Sequence, residues 1–436
     1  VIADVINASG GMPSYDDFQA KLDFKSNVYN TFSFLIIIGG SLYQRDKNGA
    51  KEVGEDRYGE LKNNQTTIGF NYKRIWNKKS YSNTSFSYSQ QSSTANFLNN
   101  ISDSTVFKNI EKTKVKNVRQ INHLKLNQNL NLEFGFDFQN TSIGYNYFRK
   151  LPESNPFLKE IAFYEDVLIN NYAAFITIKN NISKRLILSA GLRLDQNDYE
   201  KINLYSPRLN IDYEVVRGKT NLILNIGKYH QNPPGIYVAN DISKVLKSVK
   251  AFQYSLNLEQ MITPSTKLTI SGYQKNYEDS PILPNSNLFQ DPTFLFDELR
   301  MYNGIVSNGT ALAEGVEVLV QKKRAENFYG LIGGSIFNST FTDYDGIKRS
   351  RNHNYGYIFN IVGGYRPKDN WELSIRWSYF GGKPYTPINL ESSIRGDEQI
   401  LYLDQFNQEK TPAYHSLFVR YEKRYNLKKS NLIVFF

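Results

Sequence analysis

The chain has 436 residues with 52 basic against 42 acidic side chains, a formal net charge of +10, 31 Tyr, 28 Phe and no Cys. The absence of cysteine excludes a disulfide scaffold, a cysteine metal centre and thiol catalysis. At a mean hydropathy of −0.50 no segment approaches the roughly 18–20 apolar residues of a membrane helix. A transmembrane barrel has the same low hydropathy as a soluble globule, because only every second residue of each strand meets lipid.

In chain order, the opening VIADVINASG has neither a basic n-region nor an apolar h-region, so a signal peptide is expected to be already removed or to lie upstream. Alternating patterns then predict strands over 17–25 and 31–44, joined by NVYN, followed by a long polar loop over 45–64. Strands over 66–76 and 81–90 flank NKKS, and a second long loop runs to about Lys116. Strands over 118–126 and 130–145 lead to a third loop ending near Leu168, and 171–182 turns at SK into the clearest stretch of all. There Leu186, Leu188, Ala190, Leu192 and Leu194 share one face against Ser189, Gly191, Arg193 and Asp195. Leu209, Ile211, Tyr213 and Val215 oppose Arg208, Asn210, Asp212 and Glu214, and Leu222, Leu224 and Ile226 oppose Asn225, Gly227 and Tyr229. A period of two marks a sheet with one apolar and one wet face.

The rhythm continues through 252–262, 267–278, 315–323, 329–341, 355–366, 371–381, 415–425 and 431–436, about eighteen strands in all. Short turns alternate with long loops throughout, as in an up-and-down meander whose short turns all lie at one end; soluble sandwiches cross in Greek keys and need not alternate. Trp371, Leu373, Ile375, Trp377 and Tyr379 share a face with aromatic ends around an aliphatic middle, as a lipid-facing strand requires. Arg420, Glu422 and Arg424 alternate with Leu417, Val419 and Tyr421, which suits a wet lumen and not a sandwich core. Lys78-Lys79, Lys184-Arg185, Arg217, Lys219 and Lys428 fall in the short turns. These basic groups sit at strand ends, not on one face with aromatics, so they read as solvated turn residues and no nucleic-acid partner is expected.

The ordered pieces GMPSYDDFQAKLDF, SPRLNIDYEV, NLILNIGKYHQNPP, VKAFQYSLNLEQMITPSTKLTISGYQKNYED, GTALAEGVEVLVQKK, FGGKPYTPI and AYHSLFVRYEKRYNLKKSNLIVFF carry a family likeness over nearly the whole chain. The chain resembles the barrel of TonB-dependent outer-membrane receptors, in particular the Tyr- and Asn-rich group. That resemblance implies an all-β, transmembrane, antiparallel up-and-down barrel in the bacterial outer membrane, of 22 strands when whole, closed by a plug and energised by the TonB complex. Neither plug nor TonB box is found, so residues 1–436 are expected to be one partial barrel domain without its plug. Strand parity suggests about three strands missing at the front and one at the back. The expected function is uptake of a siderophore, glycan or peptide, with outer-membrane lipid, the TonB complex and a surface lipoprotein as partners. The alternatives are a passive porin, an adhesin-like barrel and a soluble all-β carbohydrate-active enzyme.

No cofactor is expected, and no enzyme activity. The four histidines, His123, His230, His353 and His415, have no metal-site spacing, and neither GxSxG nor a Walker loop occurs. TDYDG over 342–346 lacks the later ligands of a calcium loop. Asp212 and Glu214 share a wet face, as a glycosidase pair would, but lumen lining is favoured. Candidate ligand contacts are Tyr229, His230 and Gln231, where a strand enters a long loop, with packing against a neighbouring loop as the alternative. Arg193, Arg208 and Arg376 are candidates for contact with an anionic ligand or the plug; lumen salt bridges are the alternative.

Overall fold

The computed structural model describes residues 11–150, 160–240, 246–282, 305–325, 327–342, 345–368, 370–396, 400–428 and 430–436. Two compact units divide the chain: Val1–Thr177 with Arg193–Leu204 and Pro234–Lys244, and Ile178–Leu192 with Tyr205–Pro233 and Val245–Phe436. The first unit holds β1 (Met12–Asn27), β2 (Asn30–Arg45), β3 (Arg57–Asn77), β4 (Ser80–Asn99), β5 (Thr105–Lys125) and β6 (Leu130–Lys150), each antiparallel to the next. To these it adds most of β7 (Glu160–Asn181) and the end of β8 (Leu186–Asn197). Two one-turn helices, α1 (Lys47–Glu52) and α2 (Gly235–Asn240), also belong to it. Asp46 caps α1 by accepting the Gly49 amide at 2.6 Å.

The second unit continues the meander through β9 (Asn203–Val216), β10 (Thr220–Gln231), β11 (Val249–Thr263), β12 (Thr266–Ile282), β13 (Val306–Ala325) and β14 (Phe328–Thr342). Beside β14 lie the three-residue β15 (Lys348–Ser350) and β16 (Tyr357–Lys368). A separate two-stranded pairing joins β18 (Pro384–Tyr385) to β19 (Glu409–Lys410), while β17 (Trp371–Phe380), β20 (Tyr414–Asn426) and β21 (Asn431–Phe435) complete the ladder. A short helix, α3 (Leu390–Gly396), precedes β19. The glycines of FGGKPYTP permit this crossing: a Cβ on Gly381 would stand 1.9 Å from the Tyr355 carbonyl, and one on Gly382 1.9 Å from that of Thr411.

Among the described residues nineteen strands pair in the meander, against about eighteen expected; the addition is β15, too short to show a period. The larger difference is length. Strands β3 to β7 run 20–22 residues, about twice the 9–11 that cross a bilayer. Residues 91–116, expected as a loop, are instead the end of β4 and the start of β5, joined by a turn at 100–104. Likewise β6 reaches Lys150 and β7 begins at Glu160, inside the third expected loop. Apart from the buried Ala95, Tyr147 and Val167, these extensions stay partly exposed and their apolar period is weak, so ladder hydrogen bonds with cross-strand polar pairs hold them. The expected stretch after 278 lies mostly in 283–304, outside the described residues.

The apolar faces expected from alternation are exposed: Phe34, Ile68, Phe86, Phe134, Phe136, Tyr213, Ile226, Leu256, Val318, Leu373, Ile375 and Val419 all stand on the surface. Among the described residues the buried positions mix small polar side chains, of which Ser206 and Ser248 are the largest fully buried, with a few apolar ones such as Leu204 and Leu246. A water-soluble sandwich inverts this arrangement. An apolar cluster does form among Tyr145, Val167 and Ile169, covered by Ile236 and Val238 of α2. Among the described residues no helix is long and apolar enough to cross a membrane.

Candidate functional site

On the first unit, the odd-numbered residues of β5 to β8 converge on one wall, opposite the face that exposes Phe134, Phe136, Tyr172 and Ile176. Arg193 is the hub. Its Nη1 donates to Asp137 Oδ2 at 2.6 Å and its Nε donates to Asp195 at 2.9 and 3.1 Å. Arg119, opposite Asp137 in the ladder, brings Nε to 3.1 Å from Oδ1 but is not aligned for a hydrogen bond, so that oxygen is held by charge alone. The Phe175 ring lies 5.7 Å from one guanidinium and 5.9 Å from the other, within cation–π range. Gly135 makes room for that ring: a Cβ there would stand 2.9 Å from Phe175 Cζ and 2.0 Å from the Gln120 carbonyl.

The cluster surrounds a cavity of about 150 Å³ lined also by Asn117, Gln139 and Asn171. Two guanidiniums balance two carboxylates, so the wall is neutral and already paired, with the amides of Asn117 and Gln139 also on its lining. Arg193 is legible in the sequence as a wet-face residue. Arg119, Asp137 and Phe175 carry no such mark, because register between strands decides which charges meet, and a single strand's period does not encode it.

On the second unit, the Arg208 guanidinium packs 4.6 Å over the Tyr229 ring. The two reach each other because Arg208 stands opposite Gly227, over which Tyr229 folds. The ladder between β9 and β10 ends at that pair. Beyond it, His230 Nδ1 is hydrogen-bonded at 2.9 Å to Ser206 Oγ, which is 2 % exposed. Gln231 is exposed and ends β10 opposite Val249. The YHQ triplet is thus divided: Tyr229 joins Arg208, and His230 joins Ser206. Arg376 lies further along the meander, exposed between Val362 and Phe418, with no ion pair among the described residues.

Glu214 serves the local backbone, since its Oε1 accepts the Gly218 amide at 2.6 Å and closes the RGK turn, where Gly218 has φ +67°. The alternating charges of β20 pair as a lumen lining does: Glu422 accepts from Arg420 at 2.7 Å and from Arg424, whose Nη2 also lies 3.5 Å from Glu372. Tyr329 donates to that same Glu372. Asp343 and Tyr344 of TDYDG lie outside the described residues, while Asp345 accepts both Arg349 Nη1 and Nη2 at 2.8 and 2.6 Å.

Past the apolar belt, the ends of β3 to β6 enclose a second cavity of about 840 Å³, lined by Arg57, Phe97, Ile101, Phe107, Arg149 and Lys150 among others. The tip beside it is tied down by Asp103, which accepts from Lys47 at 2.6 Å and Tyr58 at 2.9 Å. Those two donors hold the Asp103 carboxyl below its ordinary range. Sequence patterning assigns this region to a loop and offers no signal for the cavity.

A family profile described as TonB dependent receptor-like, beta-barrel matches residues 6–432. No curated protein matches the sequence. Among solved structures, the ferric-catecholate import receptor Fiu of E. coli K12 is similar at TM-score 0.67 and 11 % identity, over 95 % of this chain and 69 % of that one. The ferripyoverdine receptor of the outer membrane of Pseudomonas aeruginosa is similar at 0.71 and 11 %, over 94 % and 59 %. The copper transporter OprC is similar at 0.68 and 11 %, over 98 % and 65 %. The chain therefore spans 59 to 69 % of the length of these structures and shares their outer-membrane barrel fold. With a profile that matches almost from end to end and a meander that exposes its apolar faces, the chain belongs to the TonB-dependent receptor β-barrel family of the bacterial outer membrane.

Proposed function

We propose that this barrel serves energised uptake of a scarce, hydrophilic nutrient such as a siderophore, a glycan or a peptide. The observation that carries the reading is the polar wall of β5 to β8, where Arg193, Asp137, Asp195 and Arg119 are fixed around a small cavity with amides facing it. Such a wall offers many hydrogen bonds without a net charge, which suits transient contact with a polar cargo or with a plug that must later move. Ligand capture falls to the outer ends of the strands, and a plug energised through the TonB complex opens the way inward. A surface lipoprotein that delivers the ligand fits the same scheme.

Within it, Arg376 is the first candidate for an anionic ligand, since no carboxylate neutralises it among the described residues. Arg208 with Tyr229 presents a cation and a ring on one face, and His230 and Gln231 stand at the mouth of the loop after β10. The import and transport functions named for the similar structures are of the same class. A strain lacking the gene should lose growth on one of three restricted media, iron-chelated, polysaccharide-limited or oligopeptide-limited, and a protonophore should abolish the corresponding uptake in the parent. Uptake that survives the protonophore would favour the passive porin, and unchanged growth on all three would contradict nutrient import.

A further inference from the structure

The start of β5 carries the run Lys112-Thr-Lys114-Val-Lys116. Alternation puts all three lysines on one face, about 7 Å apart at two residues per repeat. Register identifies that face. Lys112 stands opposite Ser92 and Gly144, Lys114 opposite Gln90 and Ser142, and Lys116 opposite Tyr88 and Asn140. The next residue of the row, Val118, stands opposite Phe86 and Phe138. Phe86 is 46 % exposed, and Ile68 of β3, opposite Tyr88 and so level with Lys116, is 49 % exposed. The lysine row therefore begins at the edge of the outward apolar belt, at the level of Ile68.

No described residue on this face forms an ion pair with the row. All six cross-strand partners are uncharged, and β4 contains no acidic residue at all. The acids of β5 and β6 that alternation could offer, Glu111, Glu133 and Asp137, point to the opposite wall, where Asp137 is engaged with Arg193 and Arg119. Asp166 of β7 comes near Gly144, within 2.8 Å of where a Cβ would stand there, yet makes no ion pair with Lys112. Lys62, on the outward row of β3 opposite Thr94, extends the patch, with Glu60 two residues beyond it. None of the four lysines has an ion-pair partner among the described residues, and Lys62, Lys112 and Lys116 are exposed. Three like charges stacked on one strand repel one another, and an external polyanion relieves that repulsion.

The row also has a side. The tight turn at 126–129 closes one end of β5, and the strand's water-exposed extension with the 100–104 turn forms the other. Outer-membrane barrels keep their tight turns in the periplasm, so the lysines meet the outer leaflet at the level of its headgroups, where the glycolipid bears phosphates. We propose that Lys112, Lys114 and Lys116 form a binding site on the outer wall for the phosphates of that glycolipid, with the hydroxyls of Ser92 and Ser142 beside them as further donors. The site faces lipid and is separate from the path of any transported ligand, so it stands or falls independently of the uptake reading.

The test uses the purified barrel in neutral detergent, titrated with bisphosphorylated lipid A in mixed micelles, with occupancy read by native mass spectrometry. The Lys112→Gln/Lys114→Gln/Lys116→Gln variant should bind about a hundredfold more weakly, and Lys→Arg at the same three positions should restore binding to within about threefold. Binding should weaken with added salt. A heat-modifiable gel shift checks that each variant is folded; should the triple variant fail it, Lys112→Gln alone, at an exposed position opposite a glycine, should still weaken binding about fivefold. The proposal is overturned if the Gln variants bind as the parent does, if dephosphorylated lipid A binds equally well, or if inorganic phosphate at about 10-fold excess displaces the lipid.

Discussion

Replacing Asp137 with Asn removes the charge on which the β5–β8 wall converges while keeping the side chain's shape. Arg193 loses its 2.6 Å partner but keeps Asp195, whereas Arg119 loses the carboxylate that it pairs with among the described residues. Asp137 is 16 % exposed and Arg193 27 %, so this contact lies between a surface pair, worth about 0.2–1 kcal/mol, and a buried pair, where loss of one partner costs about 3–5 kcal/mol. Arg119 is 48 % exposed and its contact is unaligned, which places it at the surface end. About 1.5 kcal/mol for the first contact and about 0.5 for the second give a destabilisation of about 2 kcal/mol. Equilibrium unfolding in guanidinium, followed by loss of the compact gel band, measures it. Two double-mutant cycles then apportion it. The coupling of Asp137→Asn with Arg193→Gln should be about 1 kcal/mol or more, and with Arg119→Gln about 0.5 or less. A coupling to Arg193 below about 0.3 kcal/mol, or the reverse order, would refute the reasoning.

Gly135→Ala should prevent a compact barrel band or cost more than about 3 kcal/mol, because the new Cβ meets the Gln120 carbonyl. Gly272→Ala, with nothing within 4 Å, should stay within about 0.5 kcal/mol. In the loop after β14, the bidentate Arg349 contact lowers the Asp345 carboxyl to about 2 from 3.8. A depressed carboxylate stabilises above its unfolded value, and that contribution is lost as pH falls through the folded value. Pepsin cleavage within 345–351 should therefore be slow near pH 4 and accelerate towards pH 2. Asp345→Asn should be cleaved fast at both, and a parent profile flat with pH would count against the ion pair's role.

What the sequence made legible follows from what each residue's surroundings demand. Lipid accepts only apolar side chains, so Leu373, Ile375 and Val419 announce their face, and tight turns such as RGK announce themselves through turn chemistry. Water makes no such demand. The extension of β5 from Thr105 to Lys116 fully buries none of its side chains, and its Lys, Thr and Asn residues look like loop even though the run pairs with β4 and β6. Likewise Tyr229, His230 and Gln231 are adjacent in the chain but divided by the pleat and by the end of the ladder with β9. Arg193 can be picked out by parity, but its partner Asp137 is 56 positions away, and only register brings the two together.

The central claim is that this chain crosses the outer membrane with its long strand ends outside and its tight turns within. Residues 1–436 contain no cysteine, so single Cys variants among them report position against the parent as control. A membrane-impermeant maleimide applied to intact cells should label Ile101→Cys, at an 86 % exposed tip, and Gln231→Cys. It should reach Lys78→Cys and Lys219→Cys only after the outer membrane is permeabilised. Labelling of the turn positions on intact cells with protection of the tips would contradict the topology and the uptake scheme built on it.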